Sequence, residues 1–371
     1  MTSESGDRSR ELDPPRRPGR RRAVAGALVA VTVLGGGLIL TLSGRGSPTR
    51  ILTRSPASAV IPGEPSGPGS TVVRTGGRRA HPPAEIVATE GDAVVVLDSA
   101  TGQTKRVLAP RPEAVAGGAV ALQGLALSPD RRTVYYAVNG ECGHSGLYRV
   151  PFDGHAPAER IADGISPAVS PDGEKLAYAA PAPPTADGRA HCPNVVIVRD
   201  LRTGTERSWR YPDDDEHHSP LYQEGSITEM AWAPDSIRLA YTLAYEGDSV
   251  SILDTAQHKD LAETTEVVVP GGGGDSRHPA WQASSGRLAV VNSAFACCYD
   301  DNYTGPPKAL LVDPDKRLAT NLLPAGRRPD ALDFDATGEH LLFVDGGALY
   351  RQSPGAAPVL VSRGVVSAVD W

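Results

Sequence analysis

The chain alternates short apolar runs with turn-forming residues over most of its length. Between residues 85 and 371, runs with the alternation of β-strands are separated by clusters rich in Gly, Pro, Asp and Ser. A period of two with frequent turn signals is typical of short strands, and many such strands favour a closed propeller over a helical bundle. The pattern therefore predicts an all-β body.

One sequence motif recurs five times in this body: an alternating apolar run, a Pro-Asp turn or a substitute for it, and a second β-rich run. Pro presets the first turn torsion, Asp caps the turn with its carboxylate, and Gly supplies a positive φ. The turns are 42, 63, 50 and 52 residues apart, as expected for four-stranded blades with variable loops. The equivalent turn residues are Asp130, Asp172, Asp235, Ser285 and Thr337.

These turns resemble the TolB-type propeller repeat, in which a Trp-Ser-Pro-Asp-Gly-like turn links the innermost strand of a blade to the next strand. The resemblance covers residues 85 to 371. It implies a TolB-like, WD40-like six-bladed β-propeller that acts as a binding module. The small α/β domain that precedes the propeller in TolB proteins has no counterpart in the preceding linker.

The two ends of the body are expected to complete one blade. Residues 86–89, 94–98 and 104–108 have the pattern of three outer strands, and Ala368 to Trp371 resemble Met230 to Ala233 of an innermost strand. The C-terminal strand would then make the sixth blade whole and close the ring. Closure removes the open sheet edges that invite aggregation.

The N-terminal region predicts a membrane anchor. Residues 23 to 42 carry no charge and, at about 1.5 Å per residue, cover the roughly 30 Å hydrocarbon layer. Arginines cluster before this segment, so the positive-inside rule places residues 1–22 in the cytoplasm as a basic tail. We expect a transmembrane helix over 23–43, a disordered Pro/Gly/Ser-rich linker over 44–84, and the propeller outside the cell membrane. The alternative is a cleaved signal peptide, whose apolar region is usually shorter.

Charge excludes nucleic acid as a partner. The body from residue 85 onward holds 24 Lys and Arg against 39 Asp and Glu, a net charge near -15. Binding to phosphate backbones depends mainly on Lys and Arg, so an acidic body repels them.

The four cysteines lie outside the membrane in this topology, where disulfides persist. The blade alignment puts Cys142 and Cys192 in adjacent blades on the same face, and Cys297 and Cys298 across the channel. We predict a Cys142–Cys192 disulfide, with Cys297 and Cys298 forming either a vicinal disulfide or a free pair. Adjacent cysteines lack the spacing of a structural zinc site.

Two loops carry candidate binding residues: one is expected on the face opposite the Pro-Asp turns, and the other precedes the fourth blade. One contains Tyr299, Asp300, Asp301 and Tyr303, which suit a contact surface on a loop held by a rigid scaffold. The other, an acidic run ending in His217 and His218, would either hold a divalent cation or form a solvated loop; no fixed ligand spacing appears, so no metal site is assigned.

The remaining residues give no sign of catalysis. Four scattered histidines lack a recognisable catalytic neighbour and are interpreted as surface or packing residues: His144, His155, His278 and His340. No nucleophile elbow, phosphate loop or cofactor motif is present, and no catalytic residue or cofactor is assigned. We expect a non-enzymatic, membrane-anchored module for a protein, peptide or envelope glycan. The alternative is a propeller hydrolase or lyase with its site in the central channel.

The predicted disulfide is tested by peptide mapping of the non-reduced full-length protein. A crosslinked peptide pair containing Cys142 and Cys192 is expected, because cysteines in neighbouring blades approach each other on one face. A linkage from either residue to Cys297 or Cys298 would contradict the blade assignment.

Overall fold

A computed structural model describes the propeller body of the chain. It describes residues 81–110, 121–139, 145–182, 192–212, 225–245, 247–270, 274–293, 306–364 and 366–371.

The described residues form six sheets of four antiparallel strands each, which we number as blades in chain order. Blade one contains β1 (Glu85–Glu90), β2 (Ala93–Asp98), β3 (Thr104–Ala109) and the last strand, β24 (Val366–Asp370). Blade two contains β4 (Ala121–Leu127), β5 (Thr133–Asn139), β6 (Ser145–Pro151) and β7 (Glu159–Ala162). Blade three contains β8 (Ile165–Val169), β9 (Lys175–Pro181), β10 (Pro193–Asp200) and β11 (Glu206–Trp209).

The other three blades repeat this order. Blade four contains β12 (Ser226–Trp232), β13 (Arg238–Ala244), β14 (Asp248–Asp254) and β15 (Thr265–Glu266), with a 3-10 turn at Leu261–Glu263. Blade five contains β16 (Asp275–Gln282), β17 (Arg287–Ser293), β18 (Lys308–Asp313) and β19 (Leu318–Asn321). Blade six contains β20 (Pro329–Phe334), β21 (Leu341–Asp345), β22 (Ala348–Gln352) and β23 (Val359–Ser362).

The all-β six-bladed propeller and its closure are confirmed. Strand β24 pairs antiparallel with β1 and becomes the innermost strand of blade one. The register places Asp370 opposite Val87, so Trp371 corresponds to Trp232 rather than to Ala233 as the sequence alignment suggested. The alignment was wrong by one residue because short alternating apolar runs match almost as well when shifted.

The Pro-Asp turns are built as their residue types predict. In blade three, the carboxylate of Asp172 accepts the N–H of Glu174 at 3.0 Å, and Gly173 takes a φ of 73°. In blade six, the hydroxyl of Thr337 takes the place of this carboxylate and accepts the N–H of Glu339 at 3.2 Å. Each turn ends an innermost strand and starts the second strand, so all five turns lie on one face of the ring.

The core consists of apolar clusters between neighbouring sheets. Each cluster consists mainly of side chains from two adjacent blades, and in the described residues the six clusters follow one another around the ring. The cluster between blades three and four is built around Trp232 and Tyr241, which are 6% and 0% exposed. Every blade is therefore stabilised from both sides, and blade one depends on β24 for its contact with blade six.

No helix in the described part of the chain is long and apolar enough to cross a membrane. The predicted tail, transmembrane helix and linker, residues 1–22, 23–43 and 44–84, lie outside the described residues apart from the last few linker positions. The anchor therefore stays a prediction.

Deleting residues 366–371 tests the closure. The deletion removes buried Val366, Val369 and Trp371 and exposes the edge of β1. Truncating a buried Trp side chain alone costs about 3–5 kcal/mol, so the melting temperature should fall by on the order of 10 °C or more. Val359→Ala, at a side chain that is 53% exposed, is the control and should leave the melting temperature nearly unchanged. Cooperative melting of the truncated protein at the full-length temperature would contradict this topology.

Candidate functional site: the central channel

The innermost strands of all six blades enclose a channel along the propeller axis. Its cavity has a volume of about 430 Å³ and is lined by residues from β4, β8, β12, β16, β20 and β24. Small side chains predominate where these strands approach one another, which leaves the axis open. The lining residues extend from the β-bulges of the innermost strands to the residues just before the Pro-Asp turns.

A β-bulge interrupts each innermost strand on the side away from the Pro-Asp turns. Bulges re-aim side chains and are frequent beside functional sites. Two bulges contain non-glycine residues with positive φ, Ser166 at 57° and His278 at 52°. Gly124 lies so close to the next blade that an added Cβ would be 2.9 Å from the Cα of Ser166. The polar bulge residues that line the channel form what we call the bulge belt: Gln123, Ser166, Thr228, Glu229, His278 and Ser367.

A histidine and a carboxylate meet in the bulge belt between blades four and five. The Nδ1 of His278 lies 3.6 Å from Oε1 of Glu229, and the hydroxyl of Thr228 donates to the other carboxylate oxygen at 2.8 Å. Burial lowers the pKa of His278, and the Glu229 carboxylate opposes this effect. The imidazole is therefore neutral at neutral pH and presents a polar but uncharged group to the channel.

Further carboxylates surround this contact on the face opposite the turns. Burial, reinforced by the nearby carboxylates of Asp275 and Glu229, raises the pKa of Asp248 to about 6. The backbone N–H of Asp248 donates to Oδ1 of Asp275 at 3.0 Å. We call Glu229, Asp248 and Asp275 the acidic mouth. Within the described residues, no group of three or more His, Cys, Asp or Glu is arranged to hold a metal ion.

A second set of equivalent residues lies near the other end of the channel. Each precedes the last apolar or aromatic residue of its innermost strand, just before the Pro-Asp turn, and all line the cavity. We call this set the inner ring: Ala126, Ala168, Ala231, Ala280, Asp333 and Asp370. Four blades contribute alanine, whereas blades six and one contribute aspartate.

The two aspartates each reach toward the following blade. Oδ2 of Asp370 accepts the backbone N–H of Leu127 in blade two at 2.7 Å, and its Oδ1 accepts that of Trp371 at 2.6 Å. The carboxylate of Asp333 in turn interacts with the N–H of Trp371 in blade one. The inner edge of an innermost strand has no further strand to pair with, so these carboxylates satisfy N–H groups that face the axis.

The surroundings of both aspartates raise the pKa of their carboxyl groups. Burial raises the pKa of Asp370 to about 6, although the Leu127 and Trp371 N–H groups and the charge of Arg131 oppose the shift. Burial and the neighbouring Asp370 carboxylate raise the pKa of Asp333 well above its usual range. Ionising both groups therefore places two charges close together in a poorly solvated channel.

The binding residues predicted from the sequence lie outside the described residues. This holds for Tyr299, Asp300, Asp301, Tyr303, His217 and His218, and for Cys142, Cys297 and Cys298. Cys192 is described directly before β10, and its pairing with Cys142 stays a prediction.

Sequence reasoning missed the channel residues. His278 was interpreted as a surface or packing residue, but it lines the channel beside Glu229. The missed signals were Pro167 and Pro279 inside innermost strands, which mark bulges, and the alanine-to-aspartate change at the inner ring.

Comparisons with known proteins agree with the architecture. No family model matches the sequence, and neither does any curated protein. TolB from Acinetobacter baumannii is similar at a TM-score of 0.52 and 15% identity, over 77% of this chain and 65% of the TolB chain. One chain of a nidogen/laminin complex is similar at a TM-score of 0.53 and 11% identity, over 77% of this chain and 97% of that chain. The chain thus spans less than two thirds of the TolB structure, and its fold is that of a TolB-like six-bladed propeller.

The raised pKa values of Asp333 and Asp370 predict a pH-dependent stability difference. A carboxyl group with a raised pKa in the folded state stabilises the fold at low pH, and this contribution is lost as the pH rises through the folded pKa. That pKa is about 6 for Asp370 and well above the usual range for Asp333. Asp333→Asn removes one charge at similar shape, so its melting temperature should exceed that of the wild type by a few degrees at about pH 7.5. The difference should shrink toward about pH 4, where both carboxyl groups are protonated in the wild-type fold.

Asp130→Asn is the matched control in a Pro-Asp turn. The Ser128 hydroxyl lowers the pKa of Asp130, so this carboxylate stabilises the fold at neutral pH and its replacement should lower the melting temperature there. Thermal melts of the three proteins across this pH range measure both effects. Equal pH profiles for the wild type and Asp333→Asn would contradict the assignment.

Proposed function

We propose that the protein is a membrane-anchored, extracytoplasmic binding module whose channel receives a positively charged segment of a protein or peptide. The acidic mouth is the observation that carries this proposal. Glu229 lines the channel, and Asp248 and Asp275 lie beside it at the junction of blades four and five, on the face opposite the Pro-Asp turns. The whole body is acidic as well. Complementary charge steers a ligand toward such an opening and orients it there.

The geometry of the channel favours an extended segment. The bulge belt and the inner ring offer polar groups at two depths along the axis, joined by the small side chains of the innermost strands. A chain that enters from the mouth would therefore meet Glu229 first and the inner-ring aspartates later. The hydroxyl groups of an uncharged envelope glycan can donate hydrogen bonds to these carboxylates, but a cationic peptide segment adds charge attraction and fits the site better.

The comparisons are consistent with a protein ligand. One structure of similar fold belongs to a complex between two proteins, nidogen and laminin. TolB from Acinetobacter baumannii has the same fold. Propellers support many activities, so the fold gives only background support and the site carries the proposal.

Binding rather than catalysis is proposed for the channel. Its described histidine, His278, contacts one carboxylate at 3.6 Å, and in the described residues no further histidine lines the cavity. A hydrolase or lyase centre needs an acid, a base and a site between them for the reacting atom. The channel groups are arranged around the axis instead.

Site-specific photocrosslinking of the full-length protein tests the proposed function. A photoreactive residue at Gln123 in the bulge belt should crosslink to a protein or peptide from envelope extract, whereas one at Val359 on the outer strand β23 should not. A soluble Lys/Arg-rich peptide should compete for this product, and an acidic peptide of equal length should not. Glu229→Gln should weaken the crosslink, because it removes charge from the mouth.

Two results would contradict the proposal. One is equal crosslinking from Gln123 and Val359, which would mean that the channel is not the contact site. The other is equal competition by the basic and acidic peptides, which would mean that the acidic mouth does not select the ligand.

A further inference from the structure

The inner ring changes composition at a single junction. In blades two to five its members are alanines, and in the adjacent blades six and one they are Asp333 and Asp370. The repeat does not require a carboxylate here, because four blades close against their neighbours without one. The two aspartates therefore add a local negative charge to one side of the channel.

The tryptophan that follows an inner-ring residue normally ties its blade to the preceding one. The indole N–H of Trp232 donates to the carbonyl of Ala168 at 3.1 Å, and that of Trp281 donates to the carbonyl of Ala231 at 3.2 Å. In both cases a cationic side chain of the preceding blade lies over the ring, as the Nζ of Lys175 does at 5.6 Å from the centre of Trp232.

Trp371 occupies the same position in blade one. It is 7% exposed, and the imidazole of His340 in the preceding blade lies beside it, with ring centres 6.4 Å apart and ring planes tilted by 52°. Yet within the described residues the indole Nε1 of Trp371 has no hydrogen-bond partner, and neither has the buried Oδ2 of Asp333. A donor and an acceptor are thus both unused at the junction where the inner ring carries its charge. Buried polar groups of this kind are uncommon and costly.

The charged groups around the pair leave it only partly neutralised. Arg131, on the turn after β4, faces Asp370 and donates to the backbone carbonyl of Glu85. Asp335 also faces Asp333, but its own carboxylate is used by the N–H groups of Glu339 and His340 within the turn. The guanidinium group of Arg131 therefore faces Asp370, and the pair keeps a net negative charge when both carboxyl groups are ionised.

We propose that Asp333 and Asp370 form a subsite for one alkylammonium or guanidinium group of a ligand inside the channel, as carried by a lysine or arginine side chain. This inference rests on the proposed function, in which the channel receives a cationic segment. It places the charged group of one side chain of that segment at Asp333 and Asp370. A cation with N–H groups supplies the donor that Oδ2 of Asp333 lacks and neutralises the remaining charge. It competes with the protons that the empty pair retains, so its binding strengthens as the pH rises and the two carboxyl groups lose these protons.

The test uses small cations in place of the unidentified ligand. Melting temperatures of the full-length protein are measured at about pH 7.5 with increasing n-butylammonium or n-butylguanidinium chloride, against n-butanol with sodium chloride at equal ionic strength. Binding to the folded state raises the melting temperature by mass action. The wild type should show a saturable rise with at least one of the two cations and no rise with the n-butanol control.

Variants locate the effect. Asp333→Asn should weaken the apparent affinity about tenfold or more, as expected for the loss of a charged hydrogen-bond partner. Asp130→Asn, in a Pro-Asp turn outside the channel lining, is the matched control and should retain the rise. The comparison uses the shift that the cation causes in each variant, so a change in the stability of the variant itself does not affect it.

Three results would overturn the subsite: no rise in the wild type, an equal rise in Asp333→Asn, or a rise with calcium chloride that exceeds the rise with both organic cations. None of them alters the Gln123 crosslinking result, so failure of the subsite is distinguishable from failure of the proposed function.

Discussion

The contact between neighbouring sheets is the interaction on which the rest of the structure depends. Six apolar clusters, one at each junction, hold the blades in a ring, and no blade buries both faces without its two neighbours. Strand β24 makes this arrangement continuous, because it brings residues from the end of the body onto the sheet that begins it. The channel is a consequence of the same packing: six sheets meet along an axis where their innermost edges cannot all touch.

The channel therefore combines structural and functional demands in the same strands. The innermost edges carry N–H groups that no further strand can pair, and the bulges and inner-ring carboxylates are two ways of accommodating them. Asp370 illustrates the overlap, since one carboxylate accepts N–H groups from blade one and blade two while it lines the cavity. The Asp370 carboxylate thus contributes to ring closure and lies in the channel where the ligand is proposed to bind.

The repeat was predictable from the sequence because its signals are local. The Pro-Asp turns and the alternation of the flanking strands are patterns of a few residues each. Recognising these patterns at both ends of the body also predicted that the C-terminal strand completes the blade that begins at Ile86, and the structure has this blade. The channel site was not predictable in the same way. His278 and Glu229 come from different blades, and their contact exists only after two bulges re-aim both strands toward the axis. The loops that the sequence favoured, around His217 and Tyr299, lie outside the described residues.

The aspartates of the repeat show why residue type alone could not identify the site. Asp130 lies in a turn where the Ser128 hydroxyl lowers its pKa, so its ionised form stabilises the fold. Asp370 belongs to the inner ring of the neighbouring blade one. Burial there raises its pKa, so its ionised form destabilises the fold. A turn carboxylate is explained by the turn, whereas a buried pair that weakens the fold at neutral pH needs a reason beyond the Leu127 and Trp371 N–H groups that it accepts. Recognition of a cationic group supplies that reason, because it turns the unfavourable charge into the binding interaction.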